Sequence, residues 1–243
     1  MSGWEKLISF YQRAFYLPFI YELFLVVTLI AGFIFHRDSR LGKFFLLYLS
    51  LDLAVVISDD YIHNFLKLPI QQYNTFVSFS NIAICLVELY AYLAFYELVL
   101  HHKKIKNLIP FFKLLFLSLI FIYGANCAVS FNFKSTFKFA EYIAVVECLI
   151  LLVLSFTYFI ELFSENSDEI LPCKPSFWIS IGIFQLIILS IPYYLVNHYL
   201  FFNKYKFYYE TTTILFYAPL AFNYIMLTKA FACKKSLVAI IIF

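Results

Sequence analysis

Nine carboxylates stand in stretches too apolar to be ordinary surface: Glu22, Asp52, Asp59, Asp60, Glu88, Glu97, Glu141, Glu147 and Glu161. An acid is costly in hydrocarbon, so each is a candidate for proton transfer, cation binding or a structural hydrogen bond. The sharpest pattern is Asp52, Asp59 and His63. On a helix these fall within about 20° of one line, with Asp60 and Asn64 on adjacent faces. Two carboxylates and an imidazole on one face can hold a cation or relay protons. Asp59, Asp60 and His63 can equally sit at a membrane interface, whereas Asp52 lies ~12 Å further in.

Similar stripes recur. Asn81, Glu88, Tyr92 and Tyr96 share a broad helical face, as do Glu147, Tyr158 and Glu161, and Tyr123, Asn126 and Ser130. Gln185, Asn197 and His198 fall in one apolar stretch. No Lys or Arg stands mid-stretch beside Asp52 or Glu88. These two are therefore expected to be neutral hydrogen-bonders or to line a wet cavity. As plain interhelical glue each bond contributes roughly 0.6 kcal/mol. The most concrete candidate is an acidic cavity open to the outside. Asp52 and Glu88 form its floor, with Tyr92 beside them and Glu22, Asp59, His63, Glu147 and His198 in its outer half. Pro192 and Pro219 free the carbonyls of Ile188 and Leu215, giving either a hinge or a static kink.

Such residues need a frame of spanning helices, and the composition supplies it. The chain has 243 residues, 63% of them hydrophobic and 14% charged, with a mean hydropathy of +0.84. Soluble domains are about 45–50% apolar and about 25% charged. This balance excludes a soluble enzyme, a secreted disulfide scaffold and a disordered tail. A net charge of +3 is no nucleic-acid footprint. Seven stretches reach the roughly 20 residues that a span requires: about 15–35, 44–66, 74–100, 110–130, 139–163, 177–202 and 209–231. The predicted fold is all-α, one polytopic membrane helix bundle over residues 1–243 with seven transmembrane helices. Long uncharged runs such as 23–35 argue against a barrel of alternating strands.

Lys and Arg concentrate on the cytoplasmic side of membranes. With the N-terminus outside, eleven of the 18 fall inside, including Arg37, Arg40, Lys103, Lys104, Lys106, Lys234 and Lys235; Lys6 and Arg13 pull the other way. The expected topology is N-out, C-in. No cleavage site marks the first fourteen residues, so the first span is expected to act as insertion signal. Aromatics make up 22% of the chain, and Tyr193, Tyr194, Tyr199, Tyr205, Tyr208 and Tyr209 read as an interfacial belt.

Other chemistries lack their residues. The seventh span has no mid-helix lysine for a retinal Schiff base, and the signature triplets of eukaryotic seven-helix receptors are missing. No phosphate loop or nucleophile elbow occurs. His63, His198 and Asp59 make at most a three-ligand metal set, and neither metal nor cofactor is expected. Cys85, Cys127 and Cys148 read as packing residues, Cys173 and Cys233 as reduced cytoplasmic thiols.

Span three reads Asn81…Leu86-Val-Glu88-Leu-Tyr90…Phe95-Tyr96, and span six runs from Phe177-Trp178-Ile179-Ser180-Ile181-Gly182 to Ser190-Ile-Pro192-Tyr193. Together these resemble a family of small uncharacterised seven-span membrane proteins common in Bacteroidetes. The resemblance covers nearly the whole chain. It implies a bacterial inner (plasma) membrane and a stand-alone bundle, and it brings no activity. The apolar tail 236–243 departs from the short basic end of that family.

Three functional classes compete. The leading one is a sensor or ligand-binding bundle that signals through spans six and seven to a separate cytoplasmic or membrane partner. The second is a proton- or cation-coupled carrier using Asp52, Glu88 and Glu147. The third, a metal-dependent membrane lipid hydrolase, is disfavoured, and a structural subunit is the remaining option. The expected partners are the lipid bilayer and that signalling protein, with no nucleic acid; the oligomeric state is not legible in the sequence.

Overall fold

Helices account for nearly all of the described chain. The structure is a computed structural model that describes residues 16–36, 39–62, 70–129, 133–164, 174–202 and 206–233. Seven long helices occupy these segments: α1 Tyr16–His36, α2 Arg40–Tyr61, α3 Ile70–Val99, α4 Ile109–Val129, α5 Phe133–Ser164, α6 Pro175–Phe202 and α7 Lys206–Ala232. A single helical turn, Lys103–Lys106, links α3 to α4. Six of the seven are long and apolar enough to cross a membrane, while α1 contributes the shorter apolar stretch Ile20–Phe35.

Local chemistry sets several starts. The Ser39 side chain accepts the Gly42 amide at 2.9 Å and caps α2, satisfying an N–H that the first turn leaves unpaired. This moves the start of α2 to Arg40, four residues before the apolar stretch begins. α6 opens on Pro175, where a missing N–H costs nothing. α3 and α5 also begin earlier than their apolar stretches, at Ile70 and Phe133. Hydropathy marks the part of a helix in hydrocarbon, and backbone hydrogen bonding carries the helix on into the headgroups.

The helices pack as a closed ring in the order α1, α2, α3, α5, α6, α7 and back to α1, with α4 outside against α3 and α5. α7 and α1 run parallel: Thr28 lies 3.0 Å from the Tyr224 carbonyl and 2.8 Å from the Thr228 hydroxyl. α3 and α5 are also parallel, joined by Tyr96 and Ser155 at 2.6 Å. α4 is held by the Tyr123 ring stacked on Phe139 and by the Lys113–Glu97 ion pair at 2.8 Å. At the Lys103 end, Glu161 accepts the backbone amides of His101 and His102, and Lys229 lies 3.5 Å over the Trp178 ring.

The distribution of side chains is inverted relative to a water-soluble domain. Phe121 is 78% exposed, Phe163 70% and Leu114 67%, whereas Asp52, Glu141, Glu147, Asn197 and Asn223 are buried. An apolar exterior of this kind marks a lipid-facing surface, and polar groups turned into a bundle are the arrangement hydrocarbon requires. The chain is a multi-pass membrane protein.

At Gly182, α6 lies tightly against α7. A Cβ there would stand 2.6 Å from Asn223 Oδ1 and 3.0 Å from Met226 Cβ. At Gly124, on α4, an added Cβ meets nothing within 4 Å. Gly182→Ala is expected to destabilise the bundle by roughly 1–3 kcal/mol through overpacking, seen as a lower thermal midpoint in detergent. Gly124→Ala is expected to leave that midpoint unchanged or slightly raised.

Candidate functional site

Asp52 sits midway along α2, only 5% exposed. The Tyr21 hydroxyl of α1 reaches its two oxygens at 3.2 and 3.1 Å, and the Tyr224 hydroxyl of α7 donates to Oδ2. Tyr224 also meets the Tyr48 hydroxyl at 3.3 Å. Helical spacing supplies this convergence. Tyr48 and Asp52 are four apart on α2, Tyr217 and Tyr224 seven apart on α7, and Tyr21 and Thr28 seven apart on α1, so each pair shares a face. The Tyr21 ring packs on Tyr217 and Tyr224 at 5.4 and 5.6 Å.

Glu88 of α3 is next in line. It interacts with Asp52 and Tyr48 on one side and with Glu147 of α5 on the other. Cys85 of α3 faces Glu147. Glu147 Oε1 is buried with no partner among the described residues. Cys148 and Tyr92 also face these two acids. Tyr92 accepts a hydrogen bond from Asn223 Nδ2 at 3.0 Å, and Asn223 Oδ1 is left without a partner among the described residues.

A cavity opens beside Glu88 and Glu147. Tyr92, Cys148, Ser190, Tyr194 and Phe216 line it together with aliphatic side chains of α5, α6 and α7. About 40 Å³ of it is open to water centres. One water needs roughly 10–15 Å³ of such room, so the space suits a few waters or one small ion. Glu88 is half-buried and lines this cavity.

The three central acids thus differ in kind. Asp52 has two hydroxyl donors and serves as interhelical glue. Glu88 and Glu147 look onto the cavity, and Glu147 keeps an acceptor without a partner among the described residues. No Lys or Arg occupies the middle of any of the seven helices to neutralise them.

Of the residues singled out by sequence, Asp52, Glu88, Tyr92 and Glu147 come together. Glu22 and Asp59 are half-buried and do not line the cavity. His63 and the side chain of His198 lie outside the described residues. Pro192 stands between the lining residues Ser190 and Tyr194, and Pro219 between Phe216 and Leu220. Asn81 is exposed, because the buried stripe of α3 runs through Ser78, Ile82, Cys85, Leu89, Tyr92 and Tyr96 instead. Asn126 is also exposed. Glu97 and Glu161 tie down the Lys103 end rather than join the site. Among the described residues no three His, Cys, Asp or Glu are placed to hold a metal ion.

Tyr21, Tyr48, Tyr224 and Asn223 were not among the residues picked out from the sequence. Their signal was available as the four- and seven-residue spacings just described, but in a chain with 20 tyrosines such spacings arise often. Tyr194, expected in an interfacial belt, lines the cavity, while Tyr199 is 53% exposed as a belt residue would be. Comparison of the chain with protein-family models, with curated proteins and with solved structures found no match.

If Asp52 is glue, its two donors decide its worth. Asp52→Leu is expected to orphan the Tyr21 and Tyr224 hydroxyls and to destabilise by about 1–3 kcal/mol for each. Asp52→Asn keeps one acceptor and is expected to cost about half as much. Thermal unfolding followed by circular dichroism reads both, and equal midpoints for the two variants would contradict the assignment.

Proposed function

We propose that the chain is a seven-span protein of the inner membrane, N-out and C-in, that binds a proton or a small cation at Glu88 and Glu147 and carries it across. The observation that carries this reading is Glu88, which stands near two other buried acids, Asp52 and Glu147, and lines a small cavity together with Glu147. Acids gathered in a membrane interior without cationic partners belong to ion and proton pathways more than to packing. Room for a few waters favours an ion over the organic ligand of the sensor reading. The seventh span rests on α1, whose 21 residues match the length that a hydrocarbon core of roughly 30 Å demands. The orientation rests on the Lys and Arg bias.

One observation keeps sensing as a second reading. Pro192 and Pro219 each stand within the stretch of their helix that walls the cavity. A change of occupancy there would bear on two helices already short of a backbone hydrogen bond, and a partner protein would read the movement.

The test is flux through purified protein in sealed liposomes under a valinomycin-imposed potential. Wild-type protein is expected to move protons or Na⁺ above the empty-liposome background, and Glu88→Gln to return flux to that background without loss of thermal stability. No flux, with cavity occupancy still altering the α6–α7 distance by spin labelling, would sink the carrier and leave the sensor. For orientation, a fluorescent protein fused after Phe243 is expected to fluoresce in cells and alkaline phosphatase fused there to be inactive. The reverse pair would overturn C-in.

A further inference from the structure

The turn that joins α3 to α4 carries Lys103, Lys104 and Lys106 within four residues. Lys103 and Lys104 are exposed and Lys106 is half-buried. The acids that the fold brings to this end are engaged elsewhere. Glu97 pairs with Lys113 at 2.8 Å, and Glu161 accepts the backbone amides of His101 and His102 at 2.8 and 2.7 Å. The chain itself supplies no other acid nearby, since no Asp or Glu occurs between Glu97 and Glu141. None of the three lysines has an acid partner among the described residues. The turn winds almost without a break into α4: the amides of Lys106, Asn107, Leu108 and Phe112 bond the carbonyls of His102, Lys103, Ile105 and Leu108. Lys104, Leu108 and Phe111 therefore follow at spacings of four and three and share a face. Leu108, Phe111 and, a turn further on, Leu114 are exposed.

We propose that this face is a binding site for an anionic phospholipid. Its headgroup sits on Lys103, Lys104 and Lys106, and an acyl chain runs along Leu108, Phe111 and Leu114. Depth and charge together select this occupant. The lysines stand where the apolar stretch Lys103–Cys127 begins, and Phe111 lies ~10 Å deeper than Lys104. That places the cations at headgroup level and the ring in hydrocarbon. Unpaired lysines at the membrane surface attract anionic lipid. A zwitterionic lipid presents the same phosphate together with a cation that the lysines repel, and a free phosphate leaves Leu108 and Phe111 without an apolar partner. α4 stands outside the ring, so lipid reaches this face without displacing another helix. The site shares no residue with the Glu88–Glu147 cavity.

The experiment is native mass spectrometry of the full-length protein in mild detergent, offered equal amounts of phosphatidylglycerol and phosphatidylcholine with the same acyl chains. Phosphatidylglycerol adducts are expected to predominate, and their excess to shrink as salt is raised. Lys104→Gln is expected to lower the ratio of the two adducts about fivefold. Replacing Lys103, Lys104 and Lys106 together by Gln is expected to abolish the preference, and replacing all three by Arg to keep it. Lys138→Gln, in α5 where the ammonium lies over the Tyr142 ring, is expected to leave the ratio unchanged. Should the triple Gln variant not insert, Lys104→Gln and the salt series on wild-type protein still decide. Equal retention of the two lipids by wild-type protein overturns the site. So does a preference that survives the loss of the lysines, or Lys138→Gln lowering the ratio as far as Lys104→Gln. Displacement of the lipid by inorganic phosphate at equal concentration shows a phosphate site instead and overturns the lipid.

Discussion

A carboxyl in hydrocarbon has no water to bond, so it must find donors on neighbouring helices. Asp52 finds them on two, at Tyr21 of α1 and Tyr224 of α7. Tyr224 in turn reaches back to Tyr48 on Asp52's own helix, and its carbonyl meets Thr28 of α1. Three helices are tied at one depth by one acid. The tie lies where the chain's last described helix closes on its first, the contact that turns a row of helices into a ring. Gly182 of α6 belongs to the same closure: a Cβ there would stand 2.6 Å from Oδ1 of Asn223, the α7 residue that bonds Tyr92 of α3.

Once Asp52 is satisfied, the neighbouring acids are distinguished by what they lack. Glu147 keeps an oxygen with no partner among the described residues, and Glu88 keeps surface on the cavity. A fully bonded acid stabilises and stays as it is, whereas an incompletely bonded one beside a few waters can gain or lose a proton with little rearrangement. Glue and pocket are therefore not alternatives for the whole set of buried acids. Each describes different members of it.

The fold was legible because hydrocarbon imposes long apolar runs, and seven of them predicted the seven long helices within a few residues. Their ends were less legible. Ser39 begins α2 ahead of its apolar stretch by capping it, a signal of hydrogen bonding rather than hydropathy. The acids at the centre were visible singly as costly residues, and the Glu88–Tyr92–Tyr96 spacing put them on one face. Which helices adjoin was invisible, since a helix with lipid on one side and polar groups on the other reads alike wherever it stands in the ring. That hid the skipped position of α4 and the meeting of Asp52 with Tyr224, 172 residues apart. The tyrosines were hidden by their number, because an interfacial belt explains them as well as a core does until neighbours are known.

The most direct test of the central claim is infrared difference spectroscopy of the carboxylic-acid carbonyl stretch, recorded on wild-type protein and on variants as pH or ion concentration changes. The account predicts one responsive band that disappears in Glu88→Gln and shifts in Glu147→Gln, because the two acids sense each other across the cavity. A responsive band indifferent to both substitutions, or no responsive carboxyl at all, would contradict it.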